Sequence, residues 1–414
     1  MFASETAAAL DQADPLQALR AEFFIPPGHT RAENIYLCGH SLGLQPRGTA
    51  AALAQELADW RELAVNAHFE GQHPWMPYHE RATAALARLA GALPLEVVAM
   101  NSLTTNLHLM MTSFYRPTPQ RYKILIEGPA FPSDRYAVVS QLELHGYDAS
   151  GLIEAEPGPE GFVSSAQLRD LIAAEGETIA LVLLSPVNYT SGALLDIPSL
   201  TAQAQAQGCR VGLDLAHTLG NLPLHLHDWN VDFAVWCSYK YLNAGPGGIG
   251  GCFVHERHAH SALPRLAGWW GHNKQTRFEM PRQFDPLPGA EGWQLSNPPI
   301  FQLAALCSAL ELFERAGIEA LRAKSVRLTG YLESLLQQLP AGLFQQLTPT
   351  DPAARGCQLS LRLPQARALQ SALEAEGVIA DFRAPDILRL APVPLYNTFS
   401  EVCETAEILR KVLT

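Results

Sequence analysis

Residues 209–240 read CRVGLDLAHTLGNLPLHLHDWNVDFAVWCSYK. Two short apolar runs, 209–215 and 231–238, are each followed by polar residues, and the second leads into a lysine. Outward from here the same pattern recurs at 122–127 (YKILIE), 178–187 (TIALVLLSPV) and 249–255 (IGGCFVH). Helical stretches separate several of these runs, one from the turn GPAFPSD (128–134) to about His145 and one over 198–207. Near-continuous apolar strands alternating with helices predict a largely parallel sheet covered on both faces. In such sheets ligands sit at the carboxyl ends of the strands, so the polar residues just after each run are where chemistry is expected.

Around this core, residues 268–297 are rich in Gly, Pro and Trp and read as a long functional loop. Asn297 is expected to cap a helix with Pro298 at its first position, and a second helix is expected to run to about Gln338. A strand at 357–363, a helix at 365–376, extended segments near Val378 and Leu388 and a final helix from about Ser400 predict a small α+β domain. The expected division is an N-terminal segment 1–60 packing on the small domain, a large domain 61–297 and a small domain 298–414.

Composition narrows the function classes. Of 414 residues 48% are hydrophobic and 17% charged, enough apolar material for a sizeable core and too little charge for a disordered chain. The net charge of −12, without a dense Lys/Arg run, argues against nucleic acid or an anionic membrane as partner. No apolar run approaches the roughly 18 residues needed to cross a bilayer. The N-terminus has no basic residue before Arg20, and the seven cysteines are scattered without a CxxC pair. Both features predict a cytoplasmic protein with reduced thiols.

Asp214 lies near the end of one apolar run and Lys240 closes another, 26 residues apart, with His217 and Tyr239 close by in sequence. A buried carboxylate and a lysine at strand ends suit a pyridoxal phosphate site. The lysine forms the Schiff base, and the aspartate keeps the pyridine nitrogen protonated so that the ring draws off electrons. An ordinary ion pair beside a strand-end lysine fits the same spacing. NSLTTNLHLMM (101–111) places Ser102, Thr104 and Thr105 at the start of a helix, where free N–H groups and the helix dipole can anchor a phosphate; a simple cap explains them too. Phe131 is placed to stack on a planar ring, or to be core.

These residues lie within blocks that resemble kynureninase, a family of fold-type I pyridoxal-phosphate enzymes. The likeness runs from SLGLQP (41–46) to APVPLYN (391–397), through PTPQRYKILIE, AFPSDRYAV, the stretch around Asp214 to Lys240, GWWGH and SNPPI. It implies a transferase-like fold, with a large domain built on a mostly parallel, helix-covered sheet and a small C-terminal α+β domain. It also implies that Leu103 and Thr104 bind the cofactor phosphate end, Phe131 stacks on the ring, Asp134 contacts the ring side and Ser185 adds a contact. Asp214 would pair with the pyridinium, with His217 nearby. Tyr239 would hold the phosphate and relay protons, and Lys240 would carry the cofactor. Trp269 and Asn297 would reach the site from the second subunit of a homodimer, and Arg389 would clamp the substrate carboxylate. His40, in CGHSLGLQP, departs from the asparagine usual in the family.

Other signals carry less. Gly245, Gly247 and Gly250 satisfy GxGxxG but sit between two strands, outside the context of a dinucleotide site. HERHAH (255–260) and LHLHD (224–228) lack the spacing of a metal motif and read as solvated or half-buried faces. The activity that the resemblance implies is hydrolysis of the Cβ–Cγ bond of L-kynurenine or 3-hydroxy-L-kynurenine, giving L-alanine and an anthranilate. Lys240, Tyr239 and Asp214 would be the catalytic residues. His68 and Asn297 tend in the family to accompany preference for the 3-hydroxy substrate, and either can pair with its phenol. A cysteine desulfurase or β-lyase of the same fold would need a mobile cysteine, whereas Cys237, Cys252 and Cys307 lie in apolar patterns. A silent ligand-binding protein would have no need of the Lys240–Asp214 pair or of Arg389.

Overall fold

In the computed structural model, which describes residues 4–413, the chain opens with α1 (Ser4–Gln12), β1 (Ile35–Tyr36), α2 (Thr49–Leu63) and α3 (Glu80–Ala90). The central body follows as β2 (Val97–Ala99), α4 (Leu103–Phe114), β3 (Lys123–Glu127), α5 (Pro132–Leu144) and β4 (Leu152–Ala155). It continues through α6 (Ser165–Glu175), β5 (Ile179–Leu184), α7 (Ile197–Ala206), β6 (Arg210–Asp214), β7 (Phe233–Trp236) and β8 (Gly251–Val254). Two long helices come next, α8 (Ile300–Ala316) and α9 (Ile318–Leu336). The remainder is β9 (Gln345–Gln346), β10 (Leu359–Arg362), α10 (Ala366–Ala375), β11 (Val378–Ile379), β12 (Asp381–Arg383), β13 (Ile387–Leu390) and α11 (Phe399–Leu413).

Seven strands form the main sheet in the order β2-β8-β7-β6-β5-β3-β4. Strands β3 to β7 are parallel, and β8 runs against both of its neighbours. The period-two alternation of side chains sorts each apolar strand onto two faces. Leu125, Val182, Leu184, Val211 and Leu213 join one core, and Ile124, Ile126, Leu181, Leu183 and Val235 the other. That is why these strands read as continuous apolar runs. Gly212 is required within β6, because a Cβ there would collide with the Phe233 ring.

Strands β2 and β4 were not singled out by the sequence. The first is three residues of Val and Ala, and the second, LIEA, carries a glutamate. Helix α8 begins at Ile300, with Pro299 before it, and not after an Asn297 cap. A residue that precedes proline is pushed out of the helical region, and here Asn297 and Pro298 both do so. The long loop is pinned by Arg277, whose Nη2 donates to Trp270 O (2.6 Å) and His272 O (3.0 Å), and by the Trp293 indole donating to Ser113 Oγ (2.9 Å).

The second sheet is antiparallel in the order β12-β13-β10-β9. Its core holds Leu332, Leu359, Leu361, Leu373, Leu388, Leu390 and Phe399, joined by Ala7, Ile35 and Leu37 from the N-terminal segment. From that same segment Leu16, Leu19, Phe23 and Leu44 pack in the large core, as do Leu303 and Leu306 of α8.

Candidate active site

Four parallel strands end close together. Glu127 closes β3, Ser185 follows β5, Asp214 closes β6, and Tyr239 and Lys240 follow β7. The cavity at these ends is lined by Leu103, Thr104, Phe131, Ser133, Asp134, Ser185, Val187, Tyr189, Asp214, Ala216, His217, Tyr239 and Lys240.

One wall is the first turn of α4. Ser102 is extended (φ −120°, ψ 166°), and its side chain does not cap the helix. Its hydroxyl lies 3.1 Å from Thr105 Oγ1, which leaves first-turn N–H groups free for an anion. Thr104 Oγ1 lies 2.8 Å from Ser133 Oγ, so the N-termini of α4 and α5 converge on one point. Gly250 packs beneath, where a Cβ would stand 3.1 Å from Leu103 N and 2.7 Å from Trp236 O. Its close approach has a steric reason. Gly245 and Gly247, at φ of 84° and 67°, serve the turn between β7 and β8.

Opposite lies a cluster of buried acids. Asp214 Oδ1 accepts from the Ala216 N–H at 2.7 Å. Burial pushes Asp214 above its ordinary pKa, and the Asp134 hydrogen bond and the Lys240 charge pull it back only partly. Burial and then the Asp214 charge push Asp134 well above the carboxylate range. Glu127, held by the Ser185 N–H (Oε2, 3.1 Å), is pushed up to about 7, first by burial. Asp134 Oδ1 and His217 Nδ1 are buried without hydrogen-bond partners. A protonated ring nitrogen is the partner this acid pair lacks, and burial makes such an ion pair strong.

Between the walls, Lys240 Nζ stands 5.7 Å from the Phe131 ring centroid, and Tyr189 meets Phe131 edge-on at 5.5 Å. Burial, then the charges of Lys240 and Arg389, keep His217 well below its ordinary pKa and hence neutral. Burial, then Cys237, raises the Tyr239 phenol, which keeps its proton at neutral pH. Pyridoxal phosphate fits the chemistry of this set: the α4 turn would hold its phosphate, Phe131 would face its ring, Asp214 would pair with its ring nitrogen and Lys240 would carry its aldehyde.

The cavity thus gathers Leu103, Thr104, Phe131, Asp134, Ser185, Asp214, His217, Tyr239 and Lys240. It does not gather His68, Trp269, Asn297 or Arg389. His68 Nδ1 lies 3.0 Å from Val65 O, and the Trp269 indole donates to Arg277 O at 3.1 Å. The two rings belong to one aromatic chain, His68–Phe69–Phe278–Trp269, with centroid spacings of 6.4, 6.3 and 5.4 Å. Asn297 is exposed. Arg389 is buried in β13, donating from Nε to Asp381 (2.9 Å) and from Nη1 to Tyr189 O (2.7 Å).

Sequence reasoning missed Glu127, Ser133 and Tyr189. Ser133 had a signal, since it lies inside FPSD; the other two read as a strand end and a loop aromatic. The histidine stretches are tied to acids. His227 Nδ1 and His255 Nδ1 lie 3.0 and 3.6 Å from Glu96 Oε1, and His258 Nε2 lies 2.8 Å from Asp232 Oδ1. His255 and His258 are both buried, not on the solvated or half-buried face expected.

A mostly parallel sheet with a lysine, a buried acid and a free helix turn at its strand ends defines the fold-type I class of pyridoxal-phosphate-dependent enzymes. The fold is similar to a cysteine desulfurase of Thermococcus onnurineus NA1 (TM-score 0.74, 16% identity, 92% of this chain and 94% of that one). It is also similar to an Escherichia coli cysteine desulfurase (TM-score 0.75, 18% identity, 96% and 98%).

Residues 321–409 match the model of the kynureninase C-terminal domain. Over nearly its whole length the chain is similar to curated kynureninases. That of Myxococcus xanthus is 57% identical over 397 residues, 95% of this chain and 93% of that one. Those of Xanthomonas oryzae (56%, covering 95% and 94%) and Koribacter versatilis (54%, covering 95% and 93%) are close behind. The chain belongs to the kynureninase family.

Proposed function

We propose that the chain hydrolyses the Cβ–Cγ bond of L-kynurenine and of 3-hydroxy-L-kynurenine, giving L-alanine and the corresponding anthranilate. The observation that carries this reading is one cavity holding Lys240 across from the Asp214–Asp134 pair, in a chain 57% identical to a kynureninase. Pyridoxal phosphate supplies, when bound, an electron sink for charge developing at the substrate's Cα and Cβ.

The chain's own residues do the rest. Asp214, its charge restored by a cationic partner, holds the proton at the ring nitrogen. Lys240, over Phe131, is placed to take the proton from Cα. Tyr239 keeps its phenol proton and is the donor to Cβ. Phe131 and Tyr189, packed edge-on, line the cavity beside these groups. Incubation with L-kynurenine should release fluorescent anthranilate; absence of anthranilate with fully loaded protein overturns the reading.

The 3-hydroxy substrate is mildly favoured in this reading, because His68 and Asn297 can each pair with a buried phenol. The expected ratio of kcat/KM is roughly ten- to a hundredfold. Equal values for the two substrates, or a ratio unchanged in His68→Trp with Asn297→Thr, would remove the pair.

A homodimer with shared sites belongs to the same reading. His68, Trp269 and Asn297 are missing from the cavity wall of a single chain. Around the first two, Val65, Phe69, Phe278 and Met280 are 71%, 63%, 54% and 68% exposed, an apolar patch of the kind that marks an interface. A large domain 61–297, a small domain 298–414 and the segment 1–60 are part of the proposal, as is a cytoplasmic location. The seven free, buried cysteines and the lack of any membrane-spanning helix among the described residues are consistent with that location.

A further inference from the structure

His40 lies in the turn after β1, and its surroundings are unusual. The ring is 1% exposed, and neither of its nitrogens has a hydrogen-bond partner. Its turn is fixed on both sides. The Gly43 N–H donates to Tyr239 O at 2.8 Å, and a Cβ on Gly43 would collide with Lys240 O. On the other side Cys38 pairs with Ala391, two residues after Arg389. His40 is therefore held between the lysine of the cavity and the arginine of the small sheet.

Other buried polar atoms without hydrogen-bond partners cluster here: His217 Nδ1, Arg389 Nη2 and the hydroxyls of Tyr241 and Tyr396. The His217 ring lies 6.2 Å from His40 and 6.3 Å from Tyr241, and a Cβ on Gly39 would collide with the Tyr396 hydroxyl. Arg389 Nη2 lies 2.7 Å from Asp381 Oδ1, an ion pair whose angle makes no hydrogen bond. Asp381 is also shared with Arg383 Nε, at 3.1 Å. Burial, then the charges of Arg389, Lys240 and Arg383, keep the His40 imidazole neutral, so it presents one N–H and one lone pair. A group of unsatisfied donors in a cationic, buried setting is a seat for an anion.

We propose that His40 is a substrate-binding residue whose ring N–H donates, beside Arg389, to the α-carboxylate of the amino-acid substrate. The inference rests on the reading above, in which the substrate is an amino acid. Arg389 meets the cavity wall through the Tyr189 carbonyl, and His40 meets it through His217, so both stand one layer behind the same end of the cavity. The α-carboxylate would bring the acceptor that His40 lacks and would share Arg389 with Asp381 and the Tyr189 carbonyl. An asparagine at this position would offer an amide N–H in its place.

The test uses cofactor-loaded protein, calorimetry and two probes, 4-oxo-4-phenylbutanoate and its uncharged primary amide. Both keep the aryl ketone, and only the first keeps the carboxylate. His40→Leu should weaken binding of the acid about tenfold while the amide stays within about twofold, and His40→Asn should hold the acid within about threefold. Equal weakening of acid and amide would reduce His40 to a packing residue, and no change in either would remove it from the site. If His40→Leu does not accumulate in loaded form, His40→Ala read with the same pair carries the test. A wild type that binds the acid in a His40-dependent way but releases no anthranilate from kynurenine overturns the proposed function and leaves this contact standing.

Discussion

Lys240 is distinguished from the other lysines by what it does not touch. Lys123 is paired with Glu175 at 2.8 Å, and Lys274 with Glu80 and Glu291 at 2.8 and 2.7 Å. Lys240 instead faces the cavity over Phe131. Borohydride treatment of loaded protein should leave the cofactor mass on the peptide holding Lys240; mass on Lys123 or Lys274 would overturn the assignment. Asp214 makes a second expectation. An amide there cannot supply the charge that holds a proton on the ring nitrogen, so Asp214→Asn should lower kcat by roughly 10²–10⁴-fold. Steady-state kinetics at saturating cofactor check this, and a fall below tenfold would shift the role to Asp134.

Elements are positioned by a few buried polar anchors. Asp232, just before β7, accepts from the Val211 N–H of β6 (2.8 Å) and pairs with Arg210 (3.0 Å), Arg257 (2.9 Å) and His258 (2.8 Å). Burial alone would raise its pKa, but the His258 hydrogen bond and the two arginine charges hold it down to about 2. A depressed carboxylate stabilises the fold fully above its unfolded value and loses that contribution as pH falls through the folded value. Wild type should therefore exceed Asp232→Asn by about 2 kcal/mol at neutral pH. In denaturant unfolding the gap should close between about pH 4 and pH 2; a gap that persists at pH 2 would assign the effect to packing. Gly250 is an anchor of a different, steric kind, because α4's first turn packs closely on it. Gly250→Ala should weaken cofactor affinity about tenfold, near 1.4 kcal/mol, with the fold intact. Titration of the stripped protein with pyridoxal phosphate checks this, and unchanged affinity would mean that the turn does not hold the phosphate.

At the scale of the whole molecule, residues expected at one site lie apart in a single chain. Lys240 lines the cavity, while Asn297 is exposed outside it. If a second copy completes each site, inactive Lys240→Ala and inactive Asn297→Ala should recover activity when mixed and reassembled. Random pairing leaves one intact site in four, so about a quarter of wild-type activity is expected. No recovery from properly reassembled dimers would put each site within one chain.

Sequence by itself determined five of the seven strands of the main sheet and several residues that line the cavity at their ends. Parallel strands buried on both faces must be apolar along their length, and strand ends expose the next polar residue, so Asp214, Tyr239 and Lys240 announced themselves. The local start of α4 was equally legible, because helix N-termini depend on a few adjacent residues. Tertiary structure decided what depends on distant segments meeting. The short β2 and β4 are strands only because β8 and β3 pair with them, and two prolines moved the start of α8 past Asn297. Glu127 reaches the acid cluster through the Ser185 N–H beyond β5, and Tyr189 reaches the cavity against Phe131, contacts that no local pattern encodes. The surroundings of His40 belong to the same class, since residues 40, 217, 240 and 389 become neighbours only when the small sheet docks on the large one.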